Sequence, residues 1–426
     1  MDVTPGPVAR GTRVGALVAE ADAGALPRTL GRWDLVVLGV GAMVGGGVFI
    51  LTGLVAGQDA GPAVVLAYLV AAAVCAVAAA CYAELATLMP LAGSAYSYAY
   101  ASMGELAGWL FAWVLVLEYA LGAALVGLGG ASYALAFGRS VGVSLPAGAQ
   151  AAAAVAIALA GALLTLGVRP SAYAASVLVL VKVAAIALFV AFGAPFVSAR
   201  HWVPFVPPPD GAGHFGWAGV GRAAALVFFA YAGFDAVATA AQEARSPRRD
   251  LPSGILGSLA IAALLYVTVA LVLTGLVPYR QLAGTTIGDA LGAVGLAWVR
   301  FLVDIAVLAG LASVLLVLLL AQARVLFAMA RDGLLPGVLA RVSARSGSPW
   351  VATLATTLAV ALAAALLPLR ALGEVVSAAV LVSYAGVCLA VVLLRRSAPE
   401  RERSFRVPLA PALPLVGAAA CLALLL

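Results

Sequence analysis

Ten long apolar runs follow one another through this chain, separated by short polar breaks. Most are close to or above the roughly 20 residues that one helical crossing of a bilayer needs. That succession constrains the fold more than anything else in the sequence. A chain built this way has no polar surface to turn towards water. Composition agrees: 65% of residues are apolar, 10% are charged and the mean hydropathy is +1.12. A soluble protein of this size keeps roughly a quarter of its residues charged. In lipid an open sheet edge finds no hydrogen-bond partners, so each run is read as a helix. The expectation is an all-α integral membrane protein.

The runs begin at Asp34, which opens the first and carries it to about Gly57. The next are 62–89, 95–128, 146–168, 171–193, 217–240, 254–277, 298–330, 351–367 and 374–394. Residues 1–33 read as a polar tail rather than a leader, because the first long apolar run comes after them. The last run, Pro414 to Leu426, has 13 residues, too few for a crossing. It reads as part of an eleventh helix, with the final helices truncated.

Arginines set the orientation. With the N-terminus inside, 17 of the 23 fall on the inner side and 6 on the outer side. The excess of basic residues on cytoplasmic loops predicts a cytoplasmic N-terminus and a cell (inner) membrane location. The net charge of +6 is therefore topological and does not point to nucleic acid. Cys75, Cys81, Cys388 and Cys421 all lie inside apolar runs without metal-ligand spacing, so they read as small buried side chains and no metal is expected.

Two runs are interrupted. The first contains Gly39-Val-Gly-Ala-Met-Val-Gly45-Gly46-Gly47-Val-Phe-Ile50. Three consecutive glycines each cost a helix about 1 kcal/mol relative to alanine, so a break or a close-packing seam is expected there. The sixth contains Phe228-Phe229-Ala230-Tyr231-Ala232-Gly233-Phe234-Asp235. Interrupted helices at matching places in two halves point to the central site of a transporter. The first and sixth runs match in a five-plus-five repeat. A half-helix starting at Gly46 or Gly47 offers N–H groups and a positive dipole end to a carboxylate. Carbonyls near Met43 and from Phe229 to Ala232 suit an ammonium group. The ligand such a site fits is an α-amino acid.

These motifs resemble the amino acid–polyamine–organocation superfamily, and within it the bacterial form of the cationic amino acid transporter family. The resemblance rests on Phe49-Ile-Leu-Thr-Gly53, Gly93-Ser-Ala-Tyr-Ser-Tyr98, Leu117-Glu118-Tyr119, the 228–235 segment, the loop Glu243 to Pro252, and Arg331-Asp-Gly-Leu-Leu-Pro336. It covers about residues 30–412. It implies the leucine-transporter fold: a tail (1–33), two inverted five-helix repeats (34–196 and 197–396), then a linker and partial helix (397–426). It also implies a bundle of spans 1, 2, 6 and 7 moving against a scaffold of 3, 4, 8 and 9. Carried over residue by residue, the carboxylate contacts fall on Val44, Gly45, Gly46 and Gly47, and the amine contacts on Met43, Phe229, Ala230 and Ala232. Glu118 and Leu311 join the substrate site. The chain departs from the family at Gly46, often a hydroxyl residue in relatives, and at Gln242-Glu243, often two acids.

Lys182 is the only lysine beside 23 arginines, and it sits mid-span in Val177-Leu-Val-Leu-Val-Lys-Val-Ala-Ala-Ile186. Arginine keeps its proton at any accessible pH, whereas lysine can exchange one. The family places a lysine here, where sodium-driven relatives bind a cation. The resemblance implies that Lys182 reaches carbonyls near Met43 and Ser313 and couples H⁺ to opening. Among the other ionisable groups, Asp235 reads as a helix cap or a substrate contact. Glu84 and Glu105 read as interfacial, Asp304 as solvated near an outer end, and His201 and His214 as loop residues.

The reading that follows is a secondary active transporter, not an enzyme. It takes up small or medium neutral L-amino acids with H⁺ by alternating access and needs no cofactor. Its partners are the amino acid, H⁺ and the lipid bilayer. A cationic amino acid or polyamine carrier and a sensor without net transport are the alternatives. No HExxH, no GxSxG and no intramembrane histidine supports an enzyme. No charge ring or filter loop supports a channel.

Overall fold

A computed structural model describes residues 28–90, 94–143, 148–166, 172–210, 214–331, 333–343 and 348–426, leaving aside the side chains of 94, 172–175, 242 and 328. Residues 1–27, Gly93, Arg169, Asp332 and Arg345, used above for the tail, two motifs and the orientation, lie outside the described residues. The described chain is nearly all helical, with one isolated bridge between Leu30 and Ala244.

Fifteen helical segments are numbered here in chain order. They are α1 (Arg32–Met43), α2 (Thr52–Val55), α3 (Val64–Leu88), α4 (Ser94–Met103) and α5 (Glu105–Ser140). Next come α6 (Ala149–Thr165), α7 (Ala172–Gly193), α8 (Gly216–Val227), α9 (Asp235–Thr239) and α10 (Pro247–Leu276). The last are α11 (Ile287–Ala293), α12 (Ala297–Arg331), α13 (Trp350–Leu366), α14 (Leu369–Ser397) and α15 (Ala412–Leu425). Among the described residues, seven helical stretches are long and apolar enough to cross a membrane. One of them, Arg32–Leu88, reverses at Gly61 and crosses twice. The reversal brings the Tyr68 hydroxyl of α3 back to Thr52 (2.7 Å) and to the Gly47 carbonyl (3.3 Å).

The contacts sort the helices into two groups. α10 packs on α1 and α3, and α3 on α8. α12 packs on α5, α5 on α6, and α13 on α5, α6 and α12. In span numbers these groups are 1, 2, 6 and 7 against 3, 4, 8 and 9, the bundle and scaffold that the resemblance implied. α7 bridges them, touching α12 on one side and α1 and α10 on the other.

Four expectations are corrected. The run read as one span from 95 to 128 is two helices, α4 and α5, separated at Gly104 (φ 104°), and α5 continues to Ser140. Gly104 and the exposed Glu105 mark the corner, but the apolar residues on either side hid it in a reading by apolarity alone. α10 starts at Pro247 inside a stretch read as polar loop, with proline in the first turn, where a missing N–H costs nothing. Glu84 is not interfacial. It is 1% exposed, its carboxylate forked by Arg395 of α14 (2.9 and 2.6 Å) and accepting from the Val407 N–H (2.7 Å), with Arg403 Nε 3.2 Å away. Asp304 is not solvated. It is 1% exposed, takes a 2.8 Å bond from Tyr133 and pairs with Arg300. A carboxylate this deep persists because an arginine or a hydroxyl replaces its water; for Glu84 that partner is more than 300 residues away, whereas Arg300 stands one turn before Asp304 and was a signal the sequence offered.

On the opposite face, Asp59 at the end of the first span is fully buried and forked by Arg370 of α14 (2.8 and 3.0 Å). His214 Nδ1 lies 3.5 Å from the same carboxylate, so this histidine is not merely a solvated loop residue. His201 binds the Gly275 carbonyl at 2.8 Å. Glu105 is exposed, as expected.

Candidate functional site

α1 ends at Met43, and Val44 turns extended (φ −72°, ψ 100°). Helical geometry resumes through a wide turn at Gly47–Leu51. The last helical bond of the first segment is Val44 N–H to Val40 (2.8 Å), and Phe49 N–H reaches back to the Gly45 carbonyl (3.2 Å). Between them the N–H groups of Gly45, Gly46 and Gly47 donate to no group among the described residues. Buried donors without partners are rare in native structures. These three are the free start of a half-helix, pointing their donors and the positive end of its dipole into the interruption.

The sixth span breaks opposite. α8 passes into a tight turn at Phe228–Tyr231, Ala232 is extended (φ −63°, ψ 130°), and Gly233 takes φ 131°. The two breaks touch. A side chain on Gly47 would stand 2.3 Å from Ala230 Cα, and one on Gly233 would stand 2.8 Å from the Met43 nitrogen. Only glycine allows the backbones this close, which is why both interruptions carry it.

Protein groups hold the sixth break in shape. The Ala230 carbonyl accepts from the Tyr266 hydroxyl (2.8 Å), and the Phe229 carbonyl accepts from Ala232 N–H (3.0 Å). Ser377 of α14 accepts from Phe229 N–H (3.3 Å) and donates to the Leu226 carbonyl (2.8 Å). Asp235, the first residue of α9, accepts from Gly233 N–H (2.9 Å) and ties its carboxylate back to the turn before the helix; no side-chain bond from the N-cap Phe234 caps α9. Each carbonyl keeps a second lone pair, so Phe229 and Ala230 can still meet an ammonium group.

The expected site residues fall as follows. Met43, Val44, Gly45, Gly46, Gly47, Phe229, Ala230 and Ala232 come together at the paired breaks. Leu311 is buried but lies against Gly130 of α5, and the α12 residue facing Gly45 is Val314. Lys182 is 2% exposed, so it does not reach up to the interface. Its ammonium donates to the Gly41 carbonyl (3.2 Å) and its stem lies on Gly310 of α12. It thus sits between the first-span break and the scaffold. Ser313 is half-buried, and the Lys182 bond found among the described residues goes to Gly41 rather than to its hydroxyl. No carboxylate pairs with Lys182 among the described residues.

Sequence reasoning missed the wall that α5 contributes. Gly46 faces Val126, and the Phe229 ring reaches from Gly46 to Gly122. Gly129 packs on Ile50. The glycine-rich stretch 122–130 was the available signal. Tyr68, Tyr266 and Ser377 were missed as well. Single polar residues in apolar runs mark them, but only tertiary contact shows which break they hold.

Glu118 is 4% exposed, and its Oε2 has no hydrogen-bond partner among the described residues. The same is true of Gln322 Oε1 and of the Tyr98 and Tyr384 hydroxyls. Each such atom costs about 1–3 kcal/mol if nothing meets it.

Comparison with known proteins agrees with this architecture. A family model described as "Amino acid permease" matches residues 30–426. The methylthioribose transporter of Bacillus subtilis (strain 168) is 39% identical over 419 residues, covering 95% of this chain and 89% of that protein. The branched-chain amino acid permease BcaP of the same organism is 38% identical over 417 residues, covering 94% and 88%. Among solved structures, that of MhsT in complex with L-phenylalanine superposes with a TM-score of 0.64 at 14% identity, covering 94% of this chain and 98% of that one. At that identity the likeness shows the fold alone, the leucine-transporter fold expected from the sequence.

Proposed function

Because the chain belongs to the amino acid permease family, we propose that it is an H⁺-coupled carrier for small or medium neutral L-amino acids. It works by alternating access in the cell (inner) membrane, with its N-terminus in the cytoplasm. The observation that carries this reading is the set of unpartnered N–H groups at Gly45, Gly46 and Gly47, facing an unwound sixth span. A carboxylate fits the first and an ammonium group the second. Together they recognise what all α-amino acids share. The neutral side chain is supported by apolar neighbours: Val126, Val314, Ile50 and Phe229 line the breaks, and a cationic tail would lie desolvated among them. A relative named as a branched-chain amino acid permease is consistent with that choice.

Coupling rests on Lys182. Its ammonium ties α1 to the scaffold side through Gly41, and loss of its proton weakens that tie. Proton exchange and bundle movement are then one event. The cytoplasmic N-terminus follows from the arginine count, 17 against 6.

A proteoliposome uptake assay with an imposed pH gradient tests both parts. Labelled alanine is competed with leucine, arginine, putrescine and methylthioribose, the last because a relative bears that name. Alanine and leucine should compete best, and accumulation should collapse when the gradient is dissipated. Arginine or putrescine outcompeting alanine would overturn the substrate class. Accumulation indifferent to the gradient would overturn the coupling. Binding without flux would make the protein a sensor.

A further inference from the structure

Three tyrosines pack together where the two breaks touch. Tyr68 comes from α3, Tyr231 from the turn that opens the sixth break, and Tyr266 from α10. All three side chains are fully buried. Their rings close a triangle: 5.5 Å between the centres of Tyr68 and Tyr266, 5.1 Å between Tyr231 and Tyr266, and 6.3 Å between Tyr68 and Tyr231. Each hydroxyl leaves the triangle for a backbone carbonyl. Tyr68 donates to Gly47 of the first break (3.3 Å), Tyr266 to Ala230 of the sixth (2.8 Å), and Tyr231 to Tyr68 of α3 (3.0 Å). The Thr52 hydroxyl, five residues beyond Gly47, also meets Tyr68 (2.7 Å).

Two of those carbonyls belong to the residues at which the breaks meet, since a side chain on Gly47 would run into Ala230. Gly47 carries the last of the free N–H groups, and the Ala230 carbonyl keeps a lone pair for an ammonium group. The triangle therefore ties the carboxylate end of the site to its ammonium end. A tyrosine ring suits that task. It is rigid and turns about only two bonds, so a bonded hydroxyl on a packed ring holds its partner at a set distance. The tie is made of the protein's own contacts and needs no substrate to form.

We propose that Tyr68, Tyr231 and Tyr266 are positioning residues that set the separation of the two ends of the site, and that this separation selects α-amino acids over β-amino acids. The inference rests on the amino acid carrier reading and refines its substrate class. In an α-amino acid one carbon separates the ammonium nitrogen from the carboxylate carbon. A β-amino acid inserts a second carbon and adds one bond of about 1.5 Å. Binding groups must be held within roughly 0.5 Å of their working geometry. A site of fixed span meets only one end of the longer substrate well, whereas a site free to widen accommodates both ends.

Alanine and β-alanine are isomers with the same charges, so size and composition drop out of the comparison. Each competes with labelled alanine uptake into proteoliposomes. In the unmodified protein β-alanine should half-inhibit at a concentration about 30-fold above alanine, the worth of one charge-assisted hydrogen bond. Tyr68→Phe and Tyr266→Phe each remove one oxygen and untie one break, and each should shrink that ratio to about fivefold. A merely structural role would lower the amount of active carrier and leave the ratio alone. Tyr133→Phe is the control: it removes a buried bond to Asp304, away from the breaks, and should keep the ratio of the unmodified protein. If one of the two triangle variants does not reach the membrane, the other reads the same ratio. β-Alanine equal to alanine in the unmodified protein overturns the spacing role, while alanine uptake keeps the carrier reading. A ratio unchanged by Tyr68→Phe and Tyr266→Phe overturns it too, as does Tyr133→Phe narrowing the ratio equally. No uptake of alanine by the unmodified protein removes both readings.

Discussion

The first and sixth spans break at matching points, yet the two breaks are finished differently. At the first, the N–H groups of Gly45, Gly46 and Gly47 are left without partners among the described residues. At the sixth, the protein satisfies its own freed groups: Ser377 takes Phe229 N–H and the Leu226 carbonyl, Tyr266 the Ala230 carbonyl, and Asp235 the Gly233 N–H. One break is open to a ligand and the other is braced. An open break gains its missing bonds only when substrate arrives, so binding energy is concentrated there. A braced break keeps its shape through the cycle and presents carbonyls at a set position.

Substitutions can break this contrast, and the largest effect belongs to the open side. Gly47→Ala puts a methyl group 2.3 Å from Ala230 Cα and must push the two breaks apart. Uptake should fall by more than about 100-fold, because one misplaced contact at a binding centre carries several kcal/mol. Counterflow in proteoliposomes measures it, with size-exclusion behaviour reporting folding. Retained wild-type affinity would mean the breaks are not the binding centre.

Lys182→Ala acts on the same break from behind, removing the tie to the Gly41 carbonyl. Accumulation driven by a pH gradient should fall by about tenfold or more, while substrate binding, read by ligand-induced thermal stabilisation, persists. A variant that accumulates substrate like the wild type would separate Lys182 from coupling.

The smallest effect should come from the braced side. Ser377→Ala leaves Phe229 N–H and the Leu226 carbonyl without their partner. The cost should be about 1–3 kcal/mol of stability, seen as a lower thermal midpoint in detergent, with Ser377→Thr recovering part of it. An unchanged midpoint would show that the sixth break does not depend on its brace.

Much of this was legible in the sequence. The ten runs map onto the crossings, and the glycine triplet and Phe228–Asp235 segment map onto the breaks, because apolarity and helix-breaking residues act locally. Mid-span Lys182 was legible for the same reason: a charge inside an apolar run stands out wherever the run folds. The Gly104 corner was missed although Gly104-Glu105 marked it, because apolar residues continue on both sides of it. Nor was Leu311's place. Its span was right, but whether Leu311 or Val314 meets Gly45 depends on the rotation of α12 about its axis, which packing sets.

By itself, then, the sequence determined that the chain is a helical membrane protein interrupted twice at equivalent points, because burial in lipid and backbone breakage are properties of short segments. Only the tertiary structure decided that Glu84 answers to Arg395 and Asp59 to Arg370, and that Ser377 and Tyr266 brace one break while the other stays open. Each of those is a pairing between residues distant in the chain. A buried polar group has a meaning only once its partner, or the lack of one, is known.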